Sequence, residues 1–170
     1  MSLTKYLYAA LAAGLAATVI VAGVSNAANK KDLPMKQSVT YLHLLTKTPF
    51  FTSLDKAQLK WVIAHSTEWE VQPGTEISNQ QNANLYMWVL LDGGWQVEQG
   101  GQVLKAGHAD AAKWYGGVRP ELLPADSRLV VTEHSYVMRI ARPDFDEMLS
   151  KKFDFSRHLI QGTAFYTEKK

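Results

Sequence analysis

The middle of the chain, residues 68–141, alternates apolar and polar residues in short runs that glycine-containing turns separate. Trp69 and Val71 flank a polar residue ahead of Pro73-Gly74, whereas residues 85–91 form an almost continuous apolar run. A period of two is typical of strands with one buried face, and a short apolar run suits a strand buried on both faces. We therefore expect about seven or eight short strands, closed into a roll or barrel.

Glycine pairs mark two turns inside this stretch. Asp92-Gly93-Gly94 and Gly100-Gly101 are predicted as hairpin turns, because glycine accepts the positive φ angles that two-residue hairpins require. Strands are predicted around and beyond them at residues 95–98, 102–105, 129–132 and 136–140.

Helical patterns flank the strands on both sides. On the N-terminal side, Tyr41, Leu44 and Leu45 have helical spacing, and a second helix is predicted from a cap at Ser53 to about His65. On the C-terminal side, a proline suits the first turn of one helix, and a further helix follows. The apolar stripes of these last two helices are predicted at Phe145, Met148, Leu149, Phe155, Leu159 and Phe165.

The N-terminal segment is a candidate export signal or membrane anchor. Residues 6–24 carry no charge over 19 positions and are followed by Ser25-Asn26-Ala27. Small residues there are typical of cleavage by signal peptidase after Ala27, whereas about 20 apolar residues are also enough to span a bilayer. We expect residues 1–27 to be a signal peptide or anchor, 28–37 a linker, and 38–170 one domain with its C-terminal helices.

This order predicts a location in the periplasm, either free or anchored in the inner membrane with the domain facing the periplasm. If the segment is uncleaved, residues 6–24 are the contact with the membrane. Lys30 and Lys31 keep the cytoplasmic side open as an alternative, because positive charge prefers that side.

Composition argues against several classes of function. The chain has no cysteine, which excludes disulfides, thiol catalysis and thiolate metal sites. Its net charge is only +2, from 18 basic and 16 acidic residues, so no strong field attracts nucleic acid. We expect no nucleic-acid partner.

The sequence offers no catalytic motif. It lacks a P-loop, a G-x-S-x-G elbow and a G-x-G-x-x-G turn, and its histidines lack the spacing of metal ligands. A metal site would require His108 and His134 to converge with Asp110. We therefore expect a protein that is not an enzyme and carries no cofactor or metal.

Four segments in order carry a resemblance to a known family: residues 48–54, 71–77, 85–93 and 138–145. They match an opening P-x-F-x-x-L, a y-x-x-G-x-x-I strand pair, an l-Y-x-v-l-x-G strand and turn, and a closing l-x-i-x-r-x-d-F. The chain thus resembles the cyclic nucleotide-binding domains of the catabolite activator protein and kinase regulatory-subunit superfamily. The resemblance implies a mainly β, jelly-roll-like β-roll with flanking helices, preceded here by the hydrophobic N-terminal helix or signal.

The phosphate-binding cassette of this chain departs from the family pattern. Family members hold the ribose with a Gly-Glu pair and the cyclic phosphate with an Arg about ten residues later. Here Trp114-Tyr115-Gly116 is followed by Gly117 instead of Glu, and the Arg position falls near Ala125-Asp126. Arg119 lies before that position, and Arg128 lies about three residues after it.

The altered cassette favours a non-catalytic interaction or scaffold module, exported or membrane-anchored, that binds a protein partner such as a component of an envelope complex. The alternative is a sensor of a cyclic nucleotide or another small anion. We expect Trp114 or Tyr115 to fold inward and fill the vacated pocket, the alternative being exposure to a partner. The candidate ligand-binding residues are Trp114, Tyr115, Gly116, Gly117, Arg119 and Arg128.

Overall fold

The computed structural model describes residues 33–117 and 123–167. The apolar segment 6–24, the cleavage site after Ala27 and the candidate residue Arg119 therefore lie outside the described residues. In the part of the chain that the structure describes, no helix is long and apolar enough to cross a membrane.

Within the described ranges, nine strands form two antiparallel sheets. The strands are β1 (Met35–Gln37), β2 (Ser66–Val71), β3 (Glu76–Asn79), β4 (Tyr86–Asp92), β5 (Gly94–Gln99), β6 (Gln102–Gly107), β7 (Trp114–Gly116), β8 (Arg128–Val131) and β9 (Ser135–Ala141). The first sheet has the order β1-β2-β9-β4-β7 and the second has the order β3-β8-β5-β6. This arrangement confirms a mainly β roll.

Helices flank the strands β2 to β9 in the chain, as the sequence predicts, and β1 lies ahead of them. The helices are α1 (Leu42–Leu45), α2 (Lys56–Ala64), α3 (Arg142–Ser150) and α4 (Ser156–Thr167), with a 3₁₀ turn at Pro49–Phe51. Helices α1, α2 and α3 pack on one face of the first sheet, and the second sheet covers its other face. Helix α4 contacts both cores, through Leu159 on one side and Phe165 and Tyr166 on the other.

Strand β4 separates two hydrophobic cores. Its residues Met87 and Val89 face a core shared with the helices, whereas Trp88 and Leu90 face the core between the two sheets. All four side chains are buried. The prediction of a strand buried on both faces is therefore confirmed.

Of the two predicted hairpin turns, only Gly100-Gly101 is one. It joins β5 to β6, with Gln99 opposite Gln102. Asp92-Gly93-Gly94 instead carries the chain from the first sheet to the second, since β4 and β5 do not pair. Gly93 has φ +87°, and a Cβ there would lie 2.3 Å from the Oγ of Ser135. Backbone packing, and not a hairpin, explains this glycine.

The predicted cap of α2 is wrong by two residues. Asp55, not Ser53, is the N-cap: its carboxylate accepts from the backbone N–H of Gln58 at 2.8 Å, and the Gln58 side chain accepts from the Asp55 N–H at 3.0 Å. The hydroxyl of Ser53 donates to the carbonyl of Asp154 at 2.7 Å and so ties the N-terminal helices to the C-terminal ones.

Three further details differ from the sequence prediction. Strand β1 occupies the last residues of the predicted linker and pairs with β2, so the domain begins earlier than residue 38. Leu149, expected in an apolar stripe, is 40% exposed. In α1 only Leu45 is buried, while Tyr41 and Leu44 are more than half exposed.

Candidate functional site

The cassette begins on β7, the edge strand of the first sheet. Tyr115 lies opposite Trp88 and Trp114 lies opposite Val89 of β4. Because side chains alternate along a strand, the two aromatic residues enter different cores. Trp114 joins the core beneath the helices, and Tyr115 joins the core inside the roll.

Trp114 is held by the C-terminal helix α4. Its indole N–H donates to the carbonyl of His158 at 2.7 Å, and only 7% of the residue is exposed. Gly162 leaves the space for the ring, because a Cβ there would lie 2.3 Å from the indole nitrogen. Tyr166 adds an edge-on ring contact and donates its hydroxyl to the Trp114 carbonyl at 2.9 Å.

Tyr115 fills space inside the roll. It is 3% exposed, and its ring meets Tyr166 edge-on at 5.8 Å. Its hydroxyl has no hydrogen-bond partner among the described residues, and burial raises its pKa to about 12. Both aromatics are thus buried, as expected, but only Tyr115 enters the roll.

The two glycines of the cassette face the start of β4 and α3. Gly116 has φ +117°, and a Cβ there would lie 2.2 Å from the carbonyl oxygen of Tyr86, so the backbone leaves no space for a side chain. The carbonyl of Gly117 accepts from the guanidinium of Arg142 at 2.6 Å, and the same guanidinium donates to Asp146 at 2.8 Å. The Arg142–Asp146 ion pair thus binds the backbone of Gly117, the residue that stands where the family has Glu.

Arg128 is engaged by carboxylates on the second sheet. Its Nε and Nη2 lie 2.7 and 2.6 Å from Oε2 of Glu98, and its Nη1 lies 4.0 Å from Glu76. Hydrogen bonds from Gln96 and then Arg128 lower the pKa of Glu98. The charge of Arg128 is therefore neutralised by carboxylates of the second sheet. Arg128 lies on β8 of that sheet, whereas Trp114-Tyr115 lie on β7 of the first sheet.

Asp126, at the place where the family pattern puts the phosphate-binding Arg, caps the β5–β6 hairpin. Its two carboxylate oxygens accept from the backbone N–H groups of Gly100 and Gly101 at 2.8 and 3.1 Å. These hydrogen bonds lower its pKa. A negative side chain at this position opposes the binding of a phosphate.

His108 and His134 do line one cavity, of about 450 Å³, together with Asp110. Each has another partner, however: His108 contacts Asp92 at 3.5 Å, His134 contacts Glu70 at 3.0 Å, and Asp110 accepts from the Gly107 N–H. Among the described residues, no three His, Asp or Glu side chains are placed to hold a metal ion.

A second surface feature was missed by the sequence reasoning. An open groove of about 570 Å³ runs between α1 and the first sheet; we call it the α1 groove. Its apolar walls include Val39, Tyr41 and Leu44, which are 65%, 56% and 54% exposed. The helical spacing of Tyr41, Leu44 and Leu45 indicates a short amphipathic helix, and nothing in the spacing distinguishes burial in the core from a surface groove.

Comparison with solved structures identifies the fold. Three similar structures are the sensor domain of the transcriptional regulator DNR from Pseudomonas aeruginosa, a cyclic nucleotide-binding domain from Methylobacillus flagellatus KT, and a putative cyclic nucleotide-binding protein from Geobacter metallireducens GS-15. Sequence identities are 12%, 12% and 19%, with TM-scores of 0.56, 0.54 and 0.54. The matches cover 76%, 79% and 74% of this chain and 94%, 82% and 94% of the respective structures.

The chain therefore has the fold of the cyclic nucleotide-binding domains, which confirms the resemblance carried by its four motifs. No protein-family model and no curated protein matches it.

Proposed function

We propose that this domain is a non-catalytic interaction module built on a cyclic nucleotide-binding fold. The observation that carries the proposal is the closed cassette. Tyr115 fills the roll, the Arg142 guanidinium donates to the carbonyl of Gly117, and Glu98 neutralises the charge of Arg128. Because the Gly117 carbonyl and the Arg128 guanidinium are already paired and Tyr115 fills the roll, the cassette gains little from an added nucleotide.

The α1 groove is the surface that supports a protein partner. Exposed apolar patches rimmed by polar groups are typical of interaction sites. Glu68, Asp92 and Lys47 also line the groove, so it favours a partner segment that carries apolar side chains flanked by charges of both signs.

Site-specific photo-crosslinking tests this surface. A benzoylphenylalanine placed at Leu44 is expected to crosslink to a partner in cells, whereas the same probe at Ile160, which is 70% exposed on α4, is not. Leu44→Glu, placed on the same surface, should abolish co-purification of that partner, and Ile160→Glu should leave it intact. Equal crosslinking at the two sites would refute the groove as the docking surface.

The proposed location is outside the cytoplasmic membrane, either released or tethered by residues 6–24. The support is the order of Lys5, the uncharged segment and Ser25-Asn26-Ala27. Mass spectrometry of the native N-terminus separates the cleaved form from the tethered one. An alkaline phosphatase fusion at residue 40 is expected to be active, and an inactive fusion would place the domain inside.

A sensor is the second candidate, because one of the similar structures is described as a sensor domain and two as cyclic nucleotide-binding proteins. In this role Arg119 or Arg128 would receive the anion with the amides near Gly116-Gly117. Thermal melting with millimolar cAMP or cGMP separates the candidates. An interaction module should show no shift in melting temperature. A sensor with its ligand at about 100 times the Kd would gain roughly 2.7 kcal/mol of stability and melt at a higher temperature.

A further inference from the structure

Arg139 is an interior-sheet arginine that has no anionic partner in the part of the chain that the structure describes. It lies on β9, opposite Thr67 of β2 and Trp88 of β4. Its position in the middle of the first sheet restricts the side chain to one face, at the end of the sheet where α2 enters β2. The residue is half-buried.

Two aromatic rings flank its guanidinium. The Cζ atom lies 5.3 Å from the ring centre of Trp69 and 4.7 Å from that of Tyr86. Both distances are within the range of a cation–π contact, so the rings fix the orientation of the group without using its N–H donors.

Among the described residues, no carboxylate, carbonyl or hydroxyl oxygen is within hydrogen-bond or ion-pair distance of the Arg139 guanidinium. Arg128 and Arg142, by contrast, each bind a carboxylate at 2.8 Å or less. A partly buried guanidinium without an acceptor is costly unless water or a ligand supplies one.

A small cavity of about 290 Å³ opens beside this group. Its lining includes Ser66, Thr67, Tyr86 and Arg139, and the buried hydroxyl of Ser66 has no hydrogen-bond partner among the described residues. Of the Ser66 and Arg139 side chains, the half-buried Arg139 is the donor that a bound molecule can reach, because the Ser66 hydroxyl is not accessible to solvent. Its volume suits a molecule of only a few heavy atoms.

Asp144 of α3 also lines the cavity. Its carboxylate adds a negative charge, which repels a dianion such as phosphate more strongly than a monoanion. The combination of an aromatic-flanked guanidinium and one opposing carboxylate favours a singly charged carboxylate.

We propose that the Arg139 cavity binds a small carboxylate, with the carboxylate oxygens on the Arg139 guanidinium. The site is separate from the cassette, because it uses none of the residues from Trp114 to Arg128. This proposal can therefore be tested independently of the interaction module proposed above.

Nuclear magnetic resonance on the folded domain, with acetate as the probe, tests the site. Acetate replaces chloride at constant ionic strength and pH 7, while the indole N–H signal of Trp69 and the Nε–H signal of Arg139 are followed. We expect saturable shifts of both signals. Shifts that stay linear to the highest acetate concentration would show that no site exists.

Three variants identify the group that binds. Arg139→Gln should abolish the saturable shift at Trp69, and Arg128→Gln, which removes an arginine already paired with Glu98, should leave it unchanged. Asp144→Asn should tighten acetate binding roughly two- to five-fold, because it removes a repelling charge that solvent only partly screens. An unchanged Trp69 response in Arg139→Gln overturns the proposal.

A second arginine variant and a second probe keep the test decisive. If Arg139→Gln does not fold, Arg139→Lys retains the charge but loses the bidentate geometry, and should weaken acetate binding roughly five-fold or more. Inorganic phosphate should bind more weakly than acetate. Tighter binding of phosphate would refute the carboxylate assignment.

Discussion

At the scale of single residues, the cassette shows how an altered ligand site remains stable. Trp114 and Tyr115 adjoin one another in sequence but stabilise two different cores, because strand alternation sends them to opposite faces of β7. The sequence motif identifies both residues, yet it does not tell which core each one enters. That depends on the pairing of β7 with β4, which is a long-range contact.

Trp114→Ala should destabilise the domain by about 3–5 kcal/mol, as truncation of a large core side chain does. The variant also leaves the His158 carbonyl without its donor. Chemical denaturation followed by far-ultraviolet circular dichroism measures the loss. Trp114→Phe serves as the control, since it keeps most of the packing and should lose much less. A variant as stable as the wild type would show that the buried indole is not a structural anchor.

His158 gives the domain a dependence on pH. Burial, and then the nearby charges of Lys113 and Arg157, lower its pKa below the usual value. The folded state therefore disfavours the protonated ring, so stability is complete above about pH 6.5 and falls as the pH drops through that value. The free energy of unfolding should decrease between pH 7 and 5 in the wild type, and decrease less in His158→Gln. Identical slopes for the two proteins would contradict this assignment.

At the scale of elements, strands and helices were predictable wherever local periodicity decides them. The apolar run of β4 and the Gly100-Gly101 hairpin follow directly from the sequence. The change of sheet at Asp92-Gly93-Gly94 does not, because a turn between paired strands and a corner between sheets use the same residue types. Strand β1 was not predicted either, because its three residues are too few to show an alternation of apolar and polar side chains.

The helix α4 provides a prediction at this scale. Glycine inside a helix is about 1 kcal/mol less favourable than alanine, so Gly162→Ala would stabilise an isolated helix. Here the added Cβ would collide with the Trp114 indole, and we expect the variant to lower the melting temperature instead. Gln161→Ala, on the exposed neighbouring position, should have little effect. A melting temperature that rises in Gly162→Ala would show that α4 does not pack as described.

At the scale of the whole molecule, β4 joins the two cores, as β7 and β9 also do. Met87 and Val89 belong to the core under the helices, and Trp88 and Leu90 to the core inside the roll. A disturbance in either core therefore reaches the other through β4. The motif order made the overall fold predictable, whereas the α1 groove and the Arg139 cavity depend on contacts between distant segments.

The shared strand predicts a single cooperative unfolding transition. Tryptophan fluorescence, which reports both cores, and circular dichroism, which reports the backbone, should give the same midpoint in urea. Val89→Ala should shift both midpoints together. Two separate transitions would indicate that the helices and the roll unfold independently.

The attachment of α4 to the edge strand β7 also determines which part of the domain unfolds first under a pulling force. Tension applied at the end of α4 first reaches the bonds from Trp114 to His158 and from Tyr166 to the β7 backbone. These bonds act together with the apolar contacts of Leu159 and Phe165, whereas the ladders of the two sheets resist as continuous rows of hydrogen bonds. A pulling force would therefore peel the last helix from the cassette, and uncover Trp114 and Tyr115, while both sheets remain intact.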